Sequence, residues 1–334
     1  MKLKIKGEVF VSNVVSGMFL DPIRCDSRGN IYLRAWQSAD AFETPITKLS
    51  PGGERLSVVA ISGVSGYEQA QLLDFAVGPR GGTYALALRV TEGKREADVL
   101  SFQEDGSFQT ATKLEKDFTP LQILVLANGE FFVSGWTRLD VSPPTPPPSA
   151  NGAGRGQQAL VEPFTGIFDG VGKLLREIPL EREGTASDRP GSGAGLRIPS
   201  REISLGRTVI GDDGNVYFML RRAAKPKVYV VSPAGIVVHT FEVTPPYENA
   251  PAFDMRSIPG NKLIFEFQRE IGERKWEWQS AIFSVVDAET GARELDYQSS
   301  AEIGGAFACY SPNDGFTFLR TSKDGRLVLS RVGP

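Results

Sequence analysis

Asp21, Asp74 and Asp254 each stand just before or within a β-rich run that opens a unit of the chain. Three carboxylates converging with backbone carbonyls would suit a hard divalent cation such as Ca²⁺, which takes about six to eight oxygen ligands. The same aspartates can instead cap turns or pair with Arg24, Arg207 or Arg256, which lie on equivalent runs. His239 is the only histidine. A Ser-His-Asp triad would have to use this one residue, and no multi-histidine metal site can be built. In "IVVHTF" it reads as a surface or edge residue. Trp36 and Trp136 each follow a turn glycine, Gly29 and Gly129, by seven residues, and Arg89 and Arg221 fall at or near that position in other units. Trp276 and Trp278 alternate beside the charged stretch "REIGERK". Aromatics next to arginines suit sugar or peptide contacts, and packing between units is the alternative. "GSGAG" and "GAGRG" are not phosphate loops, because neither follows a strand and opens a helix.

The elements that must position these residues form a repeat. "CDSRGNIYLRAW" (25–36) recurs as "VGPRGGTYALALR" (77–89), "VLANGEFFVSGW" (125–136), "IGDDGNVYFMLR" (210–221), "SIPGNKLIFEFQ" (257–268) and "YSPNDGFTFLRT" (310–321). Each copy is a hairpin: apolar residues, a Gly-containing polar turn, then a β-rich run. A second hairpin follows most copies, at 46–61, 99–114, 165–180, 228–243 and 281–297. Each unit therefore reads as four antiparallel strands, A to D. Four-stranded units repeating every ~45–55 residues mark a β-propeller. One meander cannot cover both its faces, and stacking blades in a ring buries them. The sixth unit lacks its fourth strand. "KLKIKGEVFV" (2–11) fits no strand of the first unit, so it is expected to close the ring as the outer strand of blade six. The expectation is one all-β domain, a six-bladed propeller over 1–334.

The A–B and C–D turns share one face and are short throughout. The B–C and D–A connections share the other, and every long irregular segment is among them: 37–45, 62–71, 137–160, 181–203, 244–252, 269–275 and 298–305. Concentration on one face fits a binding surface carried by a rigid scaffold. Residues 141–159, "VSPPTPPPSANGAGRGQQA", read as an insertion inside blade three, because "TGIFDGVGKLLREI" then supplies that blade's remaining strands. Residues 181–203 form a second long connection, between blades three and four. Cys25 and Cys309 fall on inner strands of the first and last blades. Two buried free thiols are the expectation, and a disulfide joining the blades is the alternative.

Composition agrees with this reading. The 334 residues are 41% hydrophobic, with 36 Gly and 22 Pro, which favours strands and turns over helices. The net charge of −3 is spread without a basic stripe, which sets nucleic acid aside. No apolar run approaches a membrane-spanning length. Glu8, Ser12 and Asn13 break any apolar core of a leader in "MKLKIKGEVFVSNVVSGMFL". Export to the periplasm or cell exterior is expected if a targeting segment once preceded Met1.

The six Gly-turn copies with "NIYL" and "NVYF" resemble the NHL-repeat, SMP-30/gluconolactonase-like and TolB-like six-bladed propellers, over nearly the whole chain. That resemblance implies the fold and leaves activity open. In the gluconolactonase-like group a divalent ion sits at the channel mouth on Glu, Asn and Asp side chains. Here "LDPIR" stands where an acidic motif would open blade one. The expected function is a monomeric, non-catalytic module without cofactor, binding a protein, peptide or carbohydrate on the long-loop face. The alternative is a metal-dependent, lactonase-like hydrolase with Ca²⁺ or another divalent cation near Asp21, Asp74 and Asp254.

Overall fold

The computed structural model of the chain describes residues 1–11, 19–35, 44–138, 161–179, 204–221, 225–248, 250–270, 276–300, 302–312 and 314–334. They form six four-stranded antiparallel sheets arranged as a six-bladed β-propeller. Blade one comprises Phe19–Cys25, Ile31–Ala35, Ile46–Leu49 and Arg55–Val59. Blades two to five repeat this plan, with inner strands Gln71–Val77, Thr119–Val125, Ser204–Ile210 and Ala252–Ile258. Blade six takes Ala306–Ser311, Gly315–Thr321 and Leu327–Gly333 from the end of the chain, and Lys4–Phe10 from its start. Lys4–Phe10 pairs antiparallel with Leu327–Gly333, as the unplaced N-terminal strand requires. Leu3 N also donates to Gln298 O of blade five, at 2.9 Å.

Apolar residues of facing sheets make the core. One cluster joins Ile264 and Phe283 of blade five to Phe307, Phe316 and Phe318 of blade six. Phe283 meets Phe318 edge-on, at 5.4 Å between centroids. The outer rim is held by a repeated device. The glycine of each described C–D turn lies over the outer strand of the preceding blade, where a side chain would not fit. A Cβ on Gly106 would approach Val58 O at 2.9 Å, and one on Gly172 would overlap Lys113 O. Gly53 of blade one lies in the same way over Phe10 of the closing strand, so the junction between chain ends is packed like the others.

The opening turn motif has its own chemistry. In blade one Asp26 accepts from the backbone N–H of Arg28 and Asn30, from Asn30 Nδ2 and from the Tyr32 hydroxyl. In blade four Asp213 serves Asn215 and Tyr217 in the same manner, from two places closer in sequence. Burial, and then the neighbouring carboxylate, push both tyrosine hydroxyls well above their ordinary range, so they act as donors. The long-loop face also carries tight turns. Blade two crosses from Thr91 to Lys94 through Glu92 and Gly93, both at positive φ.

One expectation is corrected. Cys25 and Cys309 are not free thiols; they are joined as a disulfide. Both sit on inner strands of blades that adjoin across the ring closure, with Cα atoms 5.9 Å apart, inside disulfide reach.

Candidate functional site

Every inner strand carries a register shift against its neighbour, at Leu20/Arg24, Leu72/Asp74, Pro120/Gln122, Leu205/Thr208, Ala252/Asp254 and Phe307/Cys309. A bulge re-aims the side chains that follow it. The residues just past the irregularities are Arg24, Asp74, Gln122, Thr208, Asp254 and Cys309, five of them polar before the cysteine pairs. They form a belt around the channel and bond from blade to blade. Arg24 Nη2 reaches Asp74 Oδ2 at 3.0 Å, and Asp74 Oδ2 also accepts from Ile123 N of blade three at 2.9 Å. Thr208 Oγ1 donates to Gln122 Oε1 at 3.0 Å. Asp254 meets Arg207 Nε at 3.0 Å and Arg256 Nε at 2.8 Å. Arg256 then donates to Phe307 O and Ala308 O of blade six and to Ile23 O of blade one.

Burial alone would raise the Asp254 carboxyl, but the charges of Arg256 and Arg207 outweigh it and hold it below the usual carboxylate range. Asp74 and Asp254 are both buried. Their oxygens face guanidinium groups and backbone N–H donors, so a divalent cation at either would meet positive charge on the same atoms. The two residues do not fit a Ca²⁺ site. Asp21 lies on the inner strand of blade one, and its side chain is outside the described residues.

The aromatic candidates fare unevenly. Trp136 is half-buried and pairs with Thr119 and Pro163 across blade three. Trp36 lies outside the described residues, as do the side chains of Trp276, Trp278 and Arg221. Arg89 is bound into its blade: it pairs with Asp98 at 2.7 Å and Glu96 at 3.1 Å and lies over the Tyr67 ring. Burial pushes the Asp98 carboxyl upward despite that arginine. His239 sits on the outer strand Val237–Glu242, with a ring nitrogen 2.9 Å from Glu289 O.

Two cavities open at opposite ends of the channel. One, of about 540 Å³, lies at the short-turn end near Asp26, Arg28, Pro259, Asp314 and the disulfide. The other, of about 480 Å³, lies at the long-loop end between blades five and six, above Asp254 and Arg256. Sequence reasoning missed the second. Two of its polar residues, Glu266 and Gln268, belong to "FEFQ", a plain strand alternation with no motif to mark it.

The chain matches no protein-family profile, and no curated protein matches it. Solved structures are similar in fold. A member of the DUF4221 family from Bacteroides vulgatus aligns with a TM-score of 0.54 at 9% identity, over 99% of this chain and 97% of that one. Virginiamycin B lyase from Staphylococcus aureus, in its selenomethionine form, aligns with a TM-score of 0.51 at 12% identity, over 98% of this chain and 99% of that one. Such identities speak for the propeller architecture alone.

Proposed function

We propose that the protein is a non-catalytic binding propeller that takes its ligand, a protein, peptide or carbohydrate, at the long-loop end of the channel. The observation that carries this reading is the cavity of about 480 Å³ between blades five and six, lined by Ser299 and by Ile303, Gly304 and Gly305 just before the inner strand of blade six. Its volume is within the range of ligand sites, and its walls combine apolar side chains with converging polar and charged groups. Below it, Asp254, Arg207 and Arg256 are tied to one another and to neighbouring blades. Groups so committed serve the scaffold rather than proton transfer or metal binding.

The test is a screen of the full chain on peptide and glycan arrays with two variants beside it. Ala306→Phe fills the cavity, and Arg80→Glu alters the exposed short-turn face. Ala306→Phe should abolish binding of the hits, and Arg80→Glu should leave it intact. The opposite pattern would put the ligand at the short-turn end. Turnover of an ester or lactone panel that stops on chelation would replace the reading with that of a metal-dependent hydrolase.

A further inference from the structure

Gln268 is buried, 3% exposed, on the wall of the cavity between blades five and six. Its Nε2 donates to Glu266 Oε1 at 2.9 Å. That bond fixes the amide: turned over, it would set its carbonyl oxygen against a carboxylate oxygen. Gln268 Oε1 is thereby left buried with no hydrogen-bond partner among the described residues. A buried acceptor without a donor costs free energy that a bound donor restores. Phe253, Phe283, Phe307 and Phe318 supply the apolar walls around it. Both arginines on the cavity wall, Arg207 and Arg256, are held by Asp254, and Arg256 also by three backbone carbonyls, so they offer little to an anion.

We infer that this cavity is a specificity pocket for a small apolar or aromatic group bearing an amine, with the N–H donated to Gln268 Oε1 and the apolar body held between the phenylalanines. The inference rests on the proposed binding role of the long-loop end and names the chemistry that end would select. A water molecule could satisfy Gln268 Oε1 too, but it would leave the aromatic walls without a partner.

The experiment uses the full chain and two probes of matched shape, phenethylamine and phenylacetate, followed by NMR titration or calorimetry. Phenethylamine should bind at least tenfold more tightly than phenylacetate. Gln268→Met keeps length and removes the acceptor; it should weaken phenethylamine tenfold or more while the melting temperature holds or rises. Ala306→Phe should abolish binding of the amine. Equal binding of both probes would overturn the inference, as would no amine binding at millimolar concentration, which would mean that the pocket holds water only. If Ala306→Phe removes amine binding and Gln268→Met does not, the donor chemistry falls while the long-loop site stands. If the array hits survive Ala306→Phe, the long-loop reading itself falls.

Discussion

Arg24, on the innermost strand of blade one, holds Asp74, on the innermost strand of blade two, at 3.0 Å. Both residues stand just past the register shift of their own strand. The shift turns their side chains along the ring, so a carboxylate that sequence alone could assign to a metal becomes a strut between blades. Asp254 takes the same position in blade five and is held from two sides. Such pairs are costly to break, because the partner left behind is a buried, uncompensated charge.

Asp254→Asn should therefore destabilise the protein by about 3–5 kcal/mol near neutral pH, the cost of breaking a buried pair. The folded-state pKa of Asp254 is lowered from its ordinary value of 3.8. A depressed carboxylate contributes stability that is fully present above the unfolded pKa and lost as pH falls through the folded one. The gap between wild type and variant in urea midpoint should thus be the same at pH 7 and pH 5 and should close only below the ordinary value. A gap already closed at pH 5 would show that the charge of Asp254 is not what holds the blades.

The glycines of the C–D turns offer a second test. Gly172 has φ +89, and a Cβ there would overlap the Lys113 carbonyl oxygen of the preceding blade. Gly214, in an A–B turn, has φ +78 and open space around it. Gly214→Ala should cost about 1–2 kcal/mol, the strain of a left-handed non-glycine residue. Gly172→Ala adds displacement of the neighbouring strand and should cost clearly more. Equal losses in thermal melts would mean that the C–D turns do not seat on the outer strands.

The ring and its closure were legible because the hairpin signal is local and repeated. "RGNIY" and "DGNVY" fix a turn and a strand wherever they occur, and counting them fixes the architecture. The belt was only half legible. Arg24, Arg207 and Arg256 stood out as possible partners of the aspartates, but the bulges that decide the pairing leave no composition signal. Gln268 was not legible at all. Its importance comes from what surrounds it in space: Glu266 two residues away on the same strand, and phenylalanines from its own blade and from blade six. Cys25 and Cys309 were misjudged because unequal turn lengths hid the depth they share along adjoining strands.

The disulfide gives a third prediction. It joins residues 284 apart in sequence, and closing so long a loop restricts the unfolded chain strongly. Cys309→Ser, or reduction of the wild type, should lower stability by about 2–5 kcal/mol. Denatured protein kept free of reductant should show no thiol reactive to Ellman's reagent. Two reactive thiols would restore the free-cysteine reading.

Blade three tests the insertion. Phe131–Arg138 and Val161–Phe168 pair without a break from Phe131↔Phe168 to Arg138↔Val161. The ladder is complete before the chain departs, so the strands need only a short connection. Replacing 142–157 with a short Gly-Ser link should leave the melting temperature nearly unchanged, since halving a loop shifts closure entropy by only about 0.6 kcal/mol. A loss of several kcal/mol would mean that the segment packs against the blades.

The N-terminal strand carries the last prediction. Lys4–Phe10 covers the edge of Leu327–Gly333, and Phe10 supplies the carbonyl over which Gly53 of blade one sits. Leu3 is buried in the cluster that joins blades five and six, and Val11 in the one that joins blades six and one. Deleting residues 1–12 removes all of these at once. It opens a strand edge, takes two buried apolar side chains worth about 2–5 kcal/mol each on removal, and leaves the Gly53 turn without its seat. The deleted protein should melt far below the full chain and self-associate through Leu327–Gly333, seen as a rising oligomer fraction in light scattering with concentration. Adding a peptide of residues 1–12 should suppress that association, because it restores the missing strand. A deletion variant that stays monomeric and melts with the full chain would show that three strands complete blade six and that the N-terminal segment only decorates it.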